Sequence, residues 1–204
     1  MRPALVTVLL SAAAVAGYFS YRYFSPAPGT ALPEDAGDGA APASEIALAD
    51  ELPEIVLADL AGAPTSIASW PDRPLLINFW ATWCAPCLRE IPLLKSFQTE
   101  HADVQIVGIA VDRLPPVQSF AAEMDFNYPI LVGQNDATEA AAALGVQVLA
   151  LPITVFTDPA GAILGIHTGE IHAEHLENYA AVLGELAAGR IDRGAARARI
   201  AGTM

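Results

Sequence analysis

Cys84 and Cys87 are the chain's two cysteines, and they directly follow the apolar run Leu75-Leu76-Ile77-Asn78-Phe79-Trp80 and its short Ala81-Thr82-Trp83 extension. Two cysteines separated by two residues at a helix start can close a disulfide without moving the backbone. So short a loop constrains the unfolded chain very little, which makes stabilisation a poor reason for the pair. A chain of 204 residues also buries a sufficient core without such staples. Chemistry is the better reason. The free N–H groups and positive dipole end of a helix stabilise a thiolate at Cys84 and make it nucleophilic. Cys87, one turn inside, is expected to be less exposed and to keep its proton longer. The predicted cycle is attack of Cys84 on a partner's disulfide, a mixed disulfide, and resolution by Cys87. Pro86 falls in the first helical turn, where its missing donor costs nothing. Half of a zinc site is a poor fit, because no further cysteine exists to complete four ligands. Two thiolates could instead hold a soft ion such as Cu(I), which remains the rival use of the pair.

The surrounding pattern supplies elements to position that pair. Leu75–Trp80 reads as a strand buried on both faces. From Pro86 to about Glu100, Leu88, Ile91, Leu94 and Phe97 recur at helical spacing. Ahead of the strand, two short apolar runs flank Ala61-Gly62-Ala63-Pro64 between Glu54 and Trp70, which predicts a hairpin. Val104–Val111 is a second buried strand, and Pro115-Pro116 open a helix through Met124. Tyr128–Val132 is a short strand and Thr138–Leu144 an Ala-rich helix ending at Gly145. Ile153–Thr157 and Ala162–His167 flank the turn Asp158-Pro159-Ala160-Gly161, and a final helix runs from about Ala173 to Ala188. Alternating strands and helices that close on a hairpin and a helix predict an α/β sandwich with a mixed central sheet.

The two ends differ from this middle. Between Arg2 and Arg22 lie nineteen uncharged residues, followed by the aromatic residues Tyr23 and Phe24. That length is close to the roughly 20 apolar residues of a membrane-spanning helix. Together with Tyr18, Phe19 and Tyr21 the aromatics form an interfacial belt, so residues 1–24 are expected to be an uncleaved membrane anchor. A cleaved signal peptide with Ala14-Val15-Ala16 as its site is the other reading, and either sends the remaining chain across the membrane. Residues 25–45, with Pro26, Pro28, Pro33 and Pro42 among Ala, Gly and acids, form a flexible linker to a domain over residues 46–189. Residues 190–204 carry Arg190, Arg193, Arg197 and Arg199 and read as a basic, solvated C-terminal tail with a frayed helix end. The net charge of −13 includes 17 acids against 4 bases within residues 51–189, so no footprint for a nucleic-acid backbone exists. Part of the 53% hydrophobic content and the mean hydropathy of +0.39 belongs to the anchor.

The run Asn78-Phe79-Trp80-Ala81-Thr82-Trp83-Cys84-Ala85-Pro86-Cys87, with Glu90 and Pro92 after it, resembles the thioredoxin superfamily, and within it the TlpA/ResA-like membrane-tethered branch. The likeness extends from about Ile46 to Gly189 and includes the strand ending at Asp112 and the stretch Leu151-Pro152-Ile153-Thr154-Val155-Phe156. It implies a thioredoxin-like three-layer sandwich with an N-terminal hairpin extension and a helical insertion. It also implies that Pro152 is the cis-proline facing the cysteines, placing substrate backbone beside the sulfurs. Asn78 stands where thioredoxins proper usually carry a buried Asp, and Asn cannot accept a proton. Glu90 matches the glutamate of the ResA-like branch, and the expectation is a partly desolvated carboxyl that relays protons to and from Cys87. The implied activity is an extracytoplasmic thiol–disulfide oxidoreductase in a bacterial envelope, reducing cysteine pairs of apocytochrome c or of copper-site assembly proteins. Its electrons would come from a membrane carrier of the DsbD/CcdA type. An oxidase in the DsbA manner stays open, because the sequence does not set the sign of electron flow.

Other signals are weaker. His172 and His175 have an H-x-x-H spacing that could share a metal, but capping or solvation is the simpler role, as for His101 and His167. The peroxidase pattern P-x-x-x-[ST]-x-x-C does not precede Cys84. No phosphate-cradling loop, serine elbow or paired-carboxylate signature occurs, and neither a cofactor nor a resident metal is expected.

Overall fold

The computed structural model describes residues 50–203. The anchor and linker proposed for residues 1–45 lie outside them, and among the described residues no helix is long and apolar enough to cross a membrane. The chain order is β1 (Val56–Asp59), β2 (Pro64–Ser66), β3 (Leu75–Trp80), α1 (Ala85–Glu100), β4 (Gln105–Ala110), α2 (Leu114–Met124), β5 (Ile130–Val132), α3 (Asn135–Ala143), β6 (Ile153–Thr157), β7 (Ile163–Thr168), α4 (Ala173–Ala187) and α5 (Arg193–Ala201). The strands form one mixed sheet in the order β2-β1-β5-β4-β3-β6-β7. β3, β4 and β5 run parallel, while β6 and β1 join antiparallel on either side of that trio. This is a thioredoxin-like sandwich. The hairpin β1–β2 is the N-terminal extension, turned by Asp59, whose carboxylate accepts from Ala61 N and Ala63 N at 2.8 and 2.9 Å. α2, β5 and α3 fill the stretch between β4 and β6.

The centre of the sheet explains its own sequence. All six residues of β3 are buried, because successive side chains point to opposite faces and both faces are covered. Leu76 and Trp80 join Ile91, Leu94 and Phe97 of α1 and Leu176, Tyr179 and Val182 of α4 in one core. Ile77 and Phe79 join Ala137, Ala140 and Ala141 of α3 with Ile55 and Leu57 of the N-terminal extension in the other. Three layers result. The buried stripe of α1 is Cys87, Glu90, Ile91, Leu94 and Phe97, so a carboxyl group occupies a position that helical spacing assigns to the core.

At the C-terminus the expectation of a frayed, solvated tail is corrected. Residues Arg193–Ala201 form α5, whose Ala196 and Ile200 are fully buried against the core shared with α4. Asp192 caps the helix, accepting from Ala195 N at 2.8 Å. Three of the four arginines in residues 190–204 find acidic partners in the domain: Arg193 pairs with Asp158 at 2.8 Å, Arg197 with Asp50 at 3.1 Å, and Arg199 with Glu185. Only two apolar side chains, four residues apart, do the packing, so the segment's mean polarity concealed its helix. The helix ending at Ala187 is therefore followed by another.

At Gly108, in the middle of β4, a side chain would meet an obstacle next to the redox strand. A Cβ there would lie 2.7 Å from Ile130 Cδ1 and 3.1 Å from Trp80 Nε1. The missing side chain gives room to the Trp80 indole, which packs against Phe120 and Phe126 with ring centroids 5.5 Å apart. Gly108→Ala is expected to cost about 1–3 kcal/mol by overpacking. A lower urea midpoint at unchanged m-value is the expected result, and an unchanged midpoint would show that the pocket gives way freely.

Candidate active site

β3 ends at Trp80 and three residues later the chain enters α1, with Cys84 as its N-cap. Cys84 and Cys87 are joined in a disulfide, their Cα atoms 5.3 Å apart. Cys84 Sγ accepts from the Cys87 backbone N–H at 3.3 Å, so the sulfur sits on the unsatisfied donors of the first turn. That position would stabilise a thiolate once the disulfide opens. Cys84 is 5% exposed and Cys87 is 0% exposed, so only the first sulfur offers an edge to a partner. Beside it Trp83 stands out from the surface, 69% exposed. The loop is pinned from the neighbouring strand: Asp112, just past β4, accepts from Thr82 Oγ1 at 2.5 Å and from Thr82 N at 3.3 Å.

The Leu151–Pro152 bond is cis, as the resemblance implied. Ile153 pairs with Phe79 in the β3–β6 register, so Pro152 comes level with Trp80 at the sheet end from which the redox loop departs. Its carbonyl accepts from Gly169 N at 2.9 Å.

Glu90 is the buried acid of this region, 1% exposed. Its Oε1 accepts from Asn78 Nδ2 at 2.8 Å, and its Oε2 from the Ile171 N–H at 2.8 Å. Asn78 Nδ2 also donates to Thr154 Oγ1 at 3.1 Å. Burial raises the carboxyl from 4.5 to about 7, opposed by those two hydrogen bonds, which favour the charged form. The site therefore holds a carboxyl group able to exchange protons near neutrality, three residues from Cys87 on the same helix.

Cys84, Cys87, Glu90 and Pro152, the site residues expected from the sequence, sit at one end of the sheet. The residues that hold them are not among those expected. Asn78, which cannot accept a proton, is a donor to Glu90. Asp112, just past β4, is the anchor of the redox loop. The segment Gly169–Ile171 carries no side-chain signal in the sequence, yet it reaches both Pro152 and Glu90 through backbone N–H groups. His172 and His175 are engaged in a cap, with His172 N donating to His175 Nδ1 at 2.9 Å at the start of α4.

Comparison with known proteins agrees with this geometry. The Redoxin family model matches residues 47–183. The thioredoxin-like protein YneN of Bacillus subtilis is 30% identical over 132 residues, covering 62% of this chain and 75% of that protein. The thiol-disulfide oxidoreductase ResA of Geobacillus thermodenitrificans is 28% identical over 138 residues, covering 66% and 76%. Among solved structures, a DsbF homologue from Corynebacterium diphtheriae superposes with a TM-score of 0.59 at 25% identity, over 67% of this chain and 88% of that one. A disulfide at a helix N-terminus beside a cis-proline, on a sheet of this topology and with these relatives, leads to one conclusion: the chain belongs to the Redoxin family, as a TlpA/ResA-like thiol–disulfide oxidoreductase of the thioredoxin superfamily.

Proposed function

We propose that the protein reduces disulfides of other proteins in an extracytoplasmic compartment, held to the membrane by residues 1–24 through the linker 25–45. The observation that carries the exchange chemistry is the buried Glu90 carboxyl, fixed by Asn78 and Ile171, on the helix that begins with the cysteines. In the reduced protein, the Cys84 thiolate attacks one sulfur of a partner disulfide. The partner's S–S bond breaks and its other sulfur leaves as a thiolate that takes up a proton. Cys87 then gives its proton to Glu90 and attacks Cys84 Sγ, which releases the second partner sulfur and closes the Cys84–Cys87 disulfide. Two electrons pass to the partner, and its two thiols carry away two protons, the second returned through Glu90.

The reducing direction, and cysteine pairs of apocytochrome c or of copper-site assembly proteins as substrates, follow from the likeness to the TlpA/ResA-like branch. So does a membrane electron donor of the DsbD/CcdA type. An oxidising compartment requires such a supply, because no soluble pool there regenerates the dithiol. The reduction potential of the Cys84–Cys87 couple tests the direction. A value near that of thioredoxin, about −270 mV, is expected, whereas one near that of DsbA, about −120 mV, would make the protein an oxidase.

A further inference from the structure

We propose that Arg89 is a positioning residue: its ion pair with Glu170 holds the Ile171 N–H against the buried Glu90 carboxyl. The inference rests on the reading of Glu90 as the proton carrier of Cys87 and adds what sets that carboxyl's environment. Two neighbouring residues of α1 face two neighbouring residues of the loop between β7 and α4. On the outer rung, Arg89 Nε donates to Glu170 Oε1 and Oε2 at 3.2 and 3.0 Å, and its Nη2 donates to Oε2. On the inner rung, Ile171 N donates to Glu90 Oε2 at 2.8 Å. The outer pair is partly solvated, with the Arg89 side chain 60% exposed and that of Glu170 23% exposed, and the inner one is dry. A solvated ion pair adds little stability by itself. A bidentate fork, however, fixes direction as well as distance. Here it fixes the register of a loop whose next backbone donor is one of the two that Glu90 has among the described residues.

The loop is held elsewhere as well, by Gly169 N on the Pro152 carbonyl and by the His167 ring nitrogen donating to the Glu170 carbonyl at 3.2 Å. The second of these holds the same planar peptide unit that carries the Ile171 N–H, so the ion pair and His167 orient that donor together. The charged and titratable groups around Glu90 are Arg89 on its own helix, Tyr128 ahead of β5, and Glu170 with His167, His172 and His175 around the loop. The oxidised cysteines do not titrate.

Glu170 separates positioning from plain electrostatics, because the two predict opposite signs. The negative charge of Glu170 raises the Glu90 carboxyl, so removing that charge alone lowers it. Releasing the clamp withdraws a donor that favours the carboxylate, which raises it. The experiment is a 13C NMR titration of the Glu90 carboxyl in the oxidised full-length chain, assigned by its loss in Glu90→Gln. Glu170→Ala and Arg89→Ala are each expected to move the midpoint upward from wild type, by about half a unit to one unit. The reversed pair Arg89→Glu/Glu170→Arg is expected to bring it back towards the wild-type value. The histidines and Tyr128 are common to all these proteins and drop out of the difference. A midpoint in Glu170→Ala that is lowered or unmoved overturns the clamp, as does a reversed pair that restores nothing. A raised Glu90 midpoint with an unmoved Cys87 titration in the reduced protein sustains the clamp and overturns the relay instead.

Discussion

Cys84→Ser abolishes thiol–disulfide exchange, lowering the rate by about 10⁴-fold or more, whereas Cys87→Ser still attacks and then stalls. The asymmetry comes from position on one helix. Cys84 is the N-cap, accepts from a first-turn N–H, and keeps an edge at the surface beside the exposed Trp83. Cys87 is completely buried and meets no partner directly. A serine at position 84 has no thiolate for the helix terminus to stabilise, and so no nucleophile. A serine at 87 leaves that nucleophile intact and removes only the group that would release the partner. Mass spectrometry under non-reducing conditions, after mixing each variant with a disulfide-containing peptide, reads the difference. The Cys87→Ser chain should accumulate as a peptide adduct through Cys84, and the Cys84→Ser chain should form none. Equal adduct formation by both variants would show that the buried sulfur is reachable and that the two roles are not divided by burial.

The parts of this site that were legible in the sequence are those written in consecutive residues. The six-residue apolar strand, the turn into a helix with proline in its first turn, and the spacing of Cys84, Cys87 and Glu90 are local, and local patterns report which face of an element is buried. Glu90 falls on the same stripe as Ile91 and Leu94, so even its burial follows from helical periodicity. What holds these residues is not local. Asn78 lies 12 residues from Glu90, Asp112 is 30 from Thr82, and Ile171 is 81 from Glu90. The last of these contacts uses a backbone N–H, which every residue other than proline carries, so no side-chain type could have marked it. α5 escaped for a different reason. Its polar composition hid two buried residues, and the acids that neutralise its arginines are contributed by distant segments, Asp50, Asp158 and Glu185.

Glu90 is expected to make the oxidised protein less stable as pH rises from about 4.5 to about 7, and Glu90→Gln to remove that slope. The sign follows from proton counting. In the unfolded chain the carboxyl has its ordinary value of 4.5, and burial raises it to about 7 in the folded state. Between those values the folded protein retains a proton that the unfolded chain has lost, so each increment of pH favours unfolding. Below the window the penalty is absent, and above it the penalty is complete, on the order of 3 kcal/mol for a shift of that size. In Glu90→Gln the amide carbonyl can still accept from Ile171 N–H, and Asn78 can turn its own carbonyl towards the new amide. The lost or remade hydrogen bonds shift stability equally at every pH. The difference between variant and wild type should therefore grow by about 3 kcal/mol from pH 4 to pH 8 in urea unfolding. The same substitution removes the proton acceptor of Cys87, and resolution of the mixed disulfide near neutral pH should slow by about 10²-fold. A pH-independent stability difference would show that Glu90 is ionised in the folded state at ordinary values. A changed stability slope with unchanged Cys87 titration and unchanged resolution rate would leave Glu90 a buried acid of the fold with no part in the exchange.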